Sequence, residues 1–192
     1  MSTSIETRTA GSAIAADSNR DLRNLYYGRF VFAVVWAALL MLTATTLTPF
    51  AIALLVIYPL FDVAAAVIDF RTSGTERPRA PLYVNMALSL LTALGLGVAV
   101  TAGISGVLQV WGAWAISAGI VQLIVAILRY RLGGQWAMIL SGGISTLAGA
   151  SFIAGSGAPD ASLTNLGGYA TLGGIFFLAS AIRLHLRANK AK

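Results

Sequence analysis

The stretch YPLFDVAAAVIDFR, residues 58–71, holds two carboxylates, Asp62 and Asp69, and one proline, Pro59, inside a run of apolar residues. An ionised acid at the centre of a bilayer costs roughly 2.5–3.5 kcal/mol on insertion scales, so such a residue is a candidate proton or cation site. Asp69 follows Asp62 by seven residues, which puts it on nearly the same helical face. Ala65 and Ala66 lie between them and keep that strip narrow. Pro59 has no N–H to give the carbonyl of Leu55, and a kink is predicted there. Asn85, six residues after Arg79, and Gln122, seven before Arg129, stand at a similar depth on other helices. Asp62, Asn85 and Gln122 are therefore expected to meet in the inner half of a bundle.

Two chemistries fit this constellation. In the first, a protonated Asp62 hydrogen-bonds Gln122, Asn85 or a carbonyl and joins helices, worth about 1 kcal/mol. In the second, Asp62 exchanges protons or binds a cation, with Asp69 as its route to the cytoplasm. The sequence offers no second buried acid and no basic partner on another helix, which weighs against a full relay. Under the first reading Asp62→Asn is nearly silent. Asp69 itself is expected at the interface, paired with Arg129 or Arg183.

The elements that must position these residues are membrane helices. The chain is 57% hydrophobic and 10% charged, against about 25% charge in soluble domains. Crossing a hydrocarbon core of ~30 Å takes about 20 apolar residues. Six segments qualify, at 30–47, 51–69, 82–101, 107–128, 136–154 and 163–182. Their apolar runs are continuous rather than alternating, which predicts helices. The fold class expected is all-α, a polytopic bundle of six transmembrane helices. The expected organisation is a disordered cytoplasmic tail over 1–24, lacking the apolar core of a signal peptide, a membrane domain over 25–187, and a basic tail over 188–192.

All 13 basic residues fall at four places: before the first segment, between the second and third, after the fourth, and after the sixth. The other three connections carry only Asp160 as an ionisable group. Basic residues in short loops stay cytoplasmic, so six spans with both termini inside are predicted. The net charge of +6 is then a consequence of topology, and nucleic acid is not an expected partner. Tyr26, Tyr27, Tyr83, Tyr130 and Trp136 at one level, and Trp111 and Trp114 at the other, are expected to be interface anchors.

The chain also divides into three hairpins, each ending in an aromatic, a run of small residues and an arginine: Tyr58 to Arg71, Trp114 to Arg129, Tyr169 to Arg183. Small residues mark close helix contacts. Ser141, Ser145 and Gly149, with Gly142 and Thr146 beside them, Gly119 near Ala115, and Gly174 near Ala170 are the candidate packing positions. They serve either one compact bundle or a homo-oligomer face.

The motif W-A-I-x-x-G-I at Trp114–Ile120, the pair Arg129 and Arg131 with Gly134 and Trp136, and L-S-G-x-x-S-x-L-x-G at Leu140–Gly149 resemble the HdeD-like family of bacterial inner-membrane proteins. The resemblance is good over 107–187 and weaker over 28–101, where Pro59 and Asp62 replace small residues. It implies six helices, an inner-membrane location and a part in tolerating acid or other stress, and it carries no catalytic residues. A structural or interaction role is the leading expectation. A small proton, cation or solute channel or transporter using Asp62 is the alternative. No enzyme activity, cofactor or metal is expected: there is no cysteine, and the one histidine, His185, lies in the basic tail. The expected partners are the lipid bilayer and either further copies of the chain or other membrane proteins.

Overall fold

The computed structural model describes residues 2–72, 79–128, 130–132 and 135–190. Among them are six α-helices and no strand: α1 (Ser2–Met41), α2 (Pro49–Thr72), α3 (Arg79–Ala99), α4 (Gly103–Leu128), α5 (Trp136–Gly155) and α6 (Thr164–Lys190). Five stretches are long and apolar enough to cross a membrane: Arg20–Met41, Pro49–Arg71, Arg79–Leu128, Trp136–Gly155 and Thr164–Leu186. The chain is an all-helical protein of the membrane type. The third stretch, 50 residues long, is divided by a 3-10 turn at Val100–Ala102 and by Gly103, whose φ of 73° suits a residue without a Cβ. α3 then folds back along α4.

Local chemistry explains the helix starts. Thr48 caps α2, its hydroxyl accepting from the Ala51 amide at 3.1 Å, and Pro49 takes the first helical position, where no N–H is needed. Pro59 lies inside α2 and is fully buried. The connection into α6 is tied to the one after α1: the Leu163 amide donates to the Ala44 carbonyl at 3.0 Å. The segment 1–24, expected as a disordered tail, has helical backbone from Ser2 that runs unbroken into α1. It holds several alanines and no proline, so nothing local stops the helix.

Each helix packs on its neighbour in sequence, and α6 packs on α1, so the six form a closed ring. The three-hairpin division pairs α1 with α2, α3 with α4 and α5 with α6. The most extensive contacts pair α4 with α5, α1 with α6 and α2 with α3 instead. Glycine placement is the reason. A Cβ on Gly112 would stand 2.6 Å from the Gly149 carbonyl oxygen, and one on Gly119 would stand 2.7 Å from that of Gly142. α4 and α5 therefore meet backbone to backbone at two levels, seven residues apart on each helix. Gly142 and Gly149 are among the expected packing positions, and Gly112 is an addition. Ser145 turns away toward α6, where its hydroxyl meets that of Tyr169 at 3.0 Å. Ser141 is half-buried. A Cβ on Gly174 would lie 3.2 Å from Ala33 Cβ, and one on Gly167 would lie 2.8 Å from Met41 Cε, on the α1–α6 contact.

Gly149→Leu should therefore destabilise the fold by about 1–3 kcal/mol or more, because backbone cannot yield as a side chain can. Gly143, with nothing within 4 Å of an added Cβ, should accept alanine with no loss. Thermal melts in detergent check both; a Gly149→Leu protein that melts like wild type would refute this interface.

Candidate functional site

α2 carries Asp62 one turn beyond Pro59 and buries it to 6% exposure. Three side chains converge on its carboxylate. Arg29 of α1 donates from Nη2 to Oδ1 and forms a salt bridge. From α3, the Asn85 amide donates to Oδ2 at 2.7 Å and the Ser89 hydroxyl donates to the same oxygen at 2.8 Å. Asn85 and Ser89 are one turn apart, so a single face of α3 presents both. The Arg29 guanidinium also lies 4.2 Å from the ring centre of Phe177 on α6, a cation–π contact. One cluster thus joins α1, α2, α3 and α6.

Asp62 and Asn85 are brought together, and Gln122 is not. Its amide donates to the Met138 carbonyl on α5 at 3.3 Å, because the ring order turns that face of α4 toward α5. Asp69 is half-buried near the end of α2. Of its expected partners, Arg183 is exposed on α6, and Arg129 lies outside the described residues, as do Gly134 and the loop around Arg77.

The decisive partner, Arg29, was missed by sequence reasoning, which placed it ahead of the first span and found no base near Asp62. The signal was present in the spacing. Leu22, Arg29 and Trp36 recur at seven residues, and Leu22 and Trp36 are buried with Ala33, Ala37 and Leu40 on the inner face of α1. An arginine in that register points inward, and its long stem carries the charge toward the carboxylate.

Beside the ion pair stands an aromatic core. Trp36, Tyr58, Trp111 and Trp114 have ring centres 4.6–6.0 Å apart, in stacked, tilted and edge-to-face pairs. The Trp36 indole donates to the Leu54 carbonyl at 2.6 Å. Trp111 is fully buried and Trp114 is 8% exposed, so neither is the interface anchor that the sequence suggested. Tyr83, Tyr130 and Trp136, by contrast, are exposed. Closure of the ring turns the tryptophan face of α4 inward, which hydropathy alone does not reveal.

Chemically, this is a charged cluster in which both carboxylate oxygens are engaged. Oδ1 of Asp62 serves Arg29, and Oδ2 serves Asn85 and Ser89. Among the described residues, no three His, Cys, Asp or Glu side chains are grouped to hold a metal. No family model, curated protein or solved structure matches the chain.

The ion pair reverses the sequence-based expectation for Asp62→Asn. Asparagine would leave the half-buried Arg29 without its counter-charge, a loss of about 3 kcal/mol. Replacing both partners together, Arg29→Met with Asp62→Leu, should recover most of that loss. Detergent melts of the two single variants and the double give the coupling directly; simple additivity would refute the pair.

Proposed function

We propose that this is a six-span protein of the bacterial inner membrane, with both termini cytoplasmic, serving a structural or interaction role akin to that of HdeD-like proteins in acid or stress tolerance. The observation that carries the structural reading is the saturation of Asp62: both carboxylate oxygens are engaged by Arg29, Asn85 and Ser89. A transport site must release and rebind its proton or ion. A carboxylate held by an arginine and two neutral donors is instead a fixed strut. The grouping of basic residues at alternate connections supports six spans and inside termini. The motifs over 107–187 support the family likeness. The membrane-type helices support the bilayer as the first partner. The tight α4–α5 and α1–α6 contacts use the small-residue faces inside one chain, which leaves the lipid-facing residues for other membrane proteins.

One observation favours the second reading, a small channel or transporter. Intramembrane ion pairs recur along proton and ion pathways, and this one joins α1 to α2. Proteoliposomes separate the two. With a potassium gradient and valinomycin setting the voltage, wild-type vesicles should stay as tight to protons and cations as empty ones. A wild-type flux that is lost in an Asp62→Asn protein whose detergent melt is unchanged would replace the structural reading with the transporter.

A further inference from the structure

We propose that the pocket beneath the turn between α5 and α6 binds a small organic ammonium ion. Only the side from which the ligand enters, the non-cytoplasmic one, rests on the topology proposed above. The pocket has a volume of about 320 Å³. Leu108 of α4 and Phe152 of α5 line it, together with Ser151, Asp160, Ser162 and Asn165. It exists because the two helices beside it are drawn apart. Gly149 holds α5 against Gly112 of α4, and Gly167 and Gly174 hold α6 against α1, so the contact between α5 and α6 is slight. The turn over 156–163 bridges the gap and is fastened at both ends. Ser156 is buried and its hydroxyl donates to the Ile153 carbonyl at 2.8 Å, while the Leu163 amide donates to the Ala44 carbonyl. Two further bonds, from the Ala158 amide to the Gly155 carbonyl and from the Ala161 amide to that of Ala158, set the rim before any ligand arrives.

The direction of the hydrogen bonds points to the occupant. Ser151 gives its hydroxyl hydrogen to the Ala148 carbonyl at 2.7 Å. Ser162 reaches the Ala44 carbonyl at 3.3 Å and the Thr164 hydroxyl at 2.8 Å, and it accepts from the Thr164 amide at 3.2 Å. With its hydrogen given away, the Ser151 hydroxyl offers the pocket only an acceptor oxygen. The Asp160 carboxylate also only accepts. Asp160 is exposed and makes no ion pair among the described residues. A pocket that accepts more than it donates suits a donor-rich ligand, and an ammonium group carries three donors and no acceptor.

Charge and size agree. All 13 Lys and Arg lie at the opposite connections, and Asp160 is the one ionisable group in the three connections at this end. No lysine or arginine of those connections competes for it. The start of α6 would by itself favour an anion. There, however, the Thr164 amide is already bonded to Ser162, and a carboxylate lines the same pocket. At ~30 Å³ for each water of the liquid, the pocket has room for roughly ten waters, far more than a bare metal ion fills. Leu108 and Phe152, both buried, give an apolar floor for the hydrocarbon part of an amine.

Isothermal titration calorimetry of the full chain in nanodiscs of zwitterionic lipid tests this, with phenethylamine as the probe. Both faces are open in a nanodisc, so the result does not depend on topology. Binding should saturate and should weaken as salt rises. Asp160→Asn, at an exposed site, should weaken it about fivefold and leave the melting curve unchanged. 2-Phenylethanol, a similar body without the charge, should bind about fivefold less tightly than the amine, and 3-phenylpropionate more weakly still. Gly155→Trp and Ser151→Trp, which fill the pocket from α5, should each weaken binding about tenfold. Gly97→Trp, at an open glycine outside the pocket, should not. Melting curves identify a plug that fails to fold, and the other plug then carries the comparison. Equal binding by wild type and Asp160→Asn overturns the proposal, as does tighter binding of the alcohol or the acid, or no saturable binding at all. The chain has no cysteine, so Gly157→Cys reports the side. An impermeant maleimide should label it in intact spheroplasts; labelling only after lysis refutes the topology and not the pocket.

Discussion

A charge buried among apolar helices must be answered by another charge, and the arrangement of this protein follows from how Asp62 is answered. Taking a carboxylate and a guanidinium out of water costs several kcal/mol for each ion, and their attraction offsets this only when the remaining hydrogen-bonding positions are filled. Asn85 and Ser89 fill them on the carboxylate, and the face of Phe177 covers the guanidinium. The requirement fixes relative geometry. α1 must present Arg29 inward, α3 must present one particular face, and α6 must lie close enough for its phenylalanine to reach. Apolar side chains could slide past one another by a turn; this cluster cannot.

The glycines and the aromatic core work on different scales around that pin. Gly112 and Gly119 against Gly149 and Gly142 bring α4 and α5 to backbone contact, where dispersion and weak backbone interactions are strongest and no rotamer has to be frozen. The four-ring cluster of Trp36, Tyr58, Trp111 and Trp114 fills space between α1, α2 and α4 that aliphatic side chains would fill less completely. Pro59 sits at the junction, fully buried, between Tyr58 of that cluster and Asp62 of the ion pair.

For function, the balance between strut and conduit turns on mobility. A proton site works because its carboxylate has a vacancy or a partner that can leave. Here Arg29 on one helix and two donors on another hold both oxygens. The proposed structural role is therefore the one that asks no rearrangement of the best-connected residues in the bundle.

The sequence by itself determined the class of object. Continuous apolar runs dictate helices of membrane length, because only such segments can satisfy their own backbone away from water. It also made part of the site legible: Asp62 stood out by its cost, and Asn85 by its depth on a neighbouring helix. The tertiary structure decided the rest. Whether Arg29 looks into the bundle or out to solvent, whether Gln122 turns to Asp62 or to α5, and whether Trp111 is an anchor or a core residue all depend on which helix faces meet. Those choices follow from the order of helices around the ring and from glycine contacts between segments far apart in the chain. Hydropathy is a property of each segment alone, so it is blind to them.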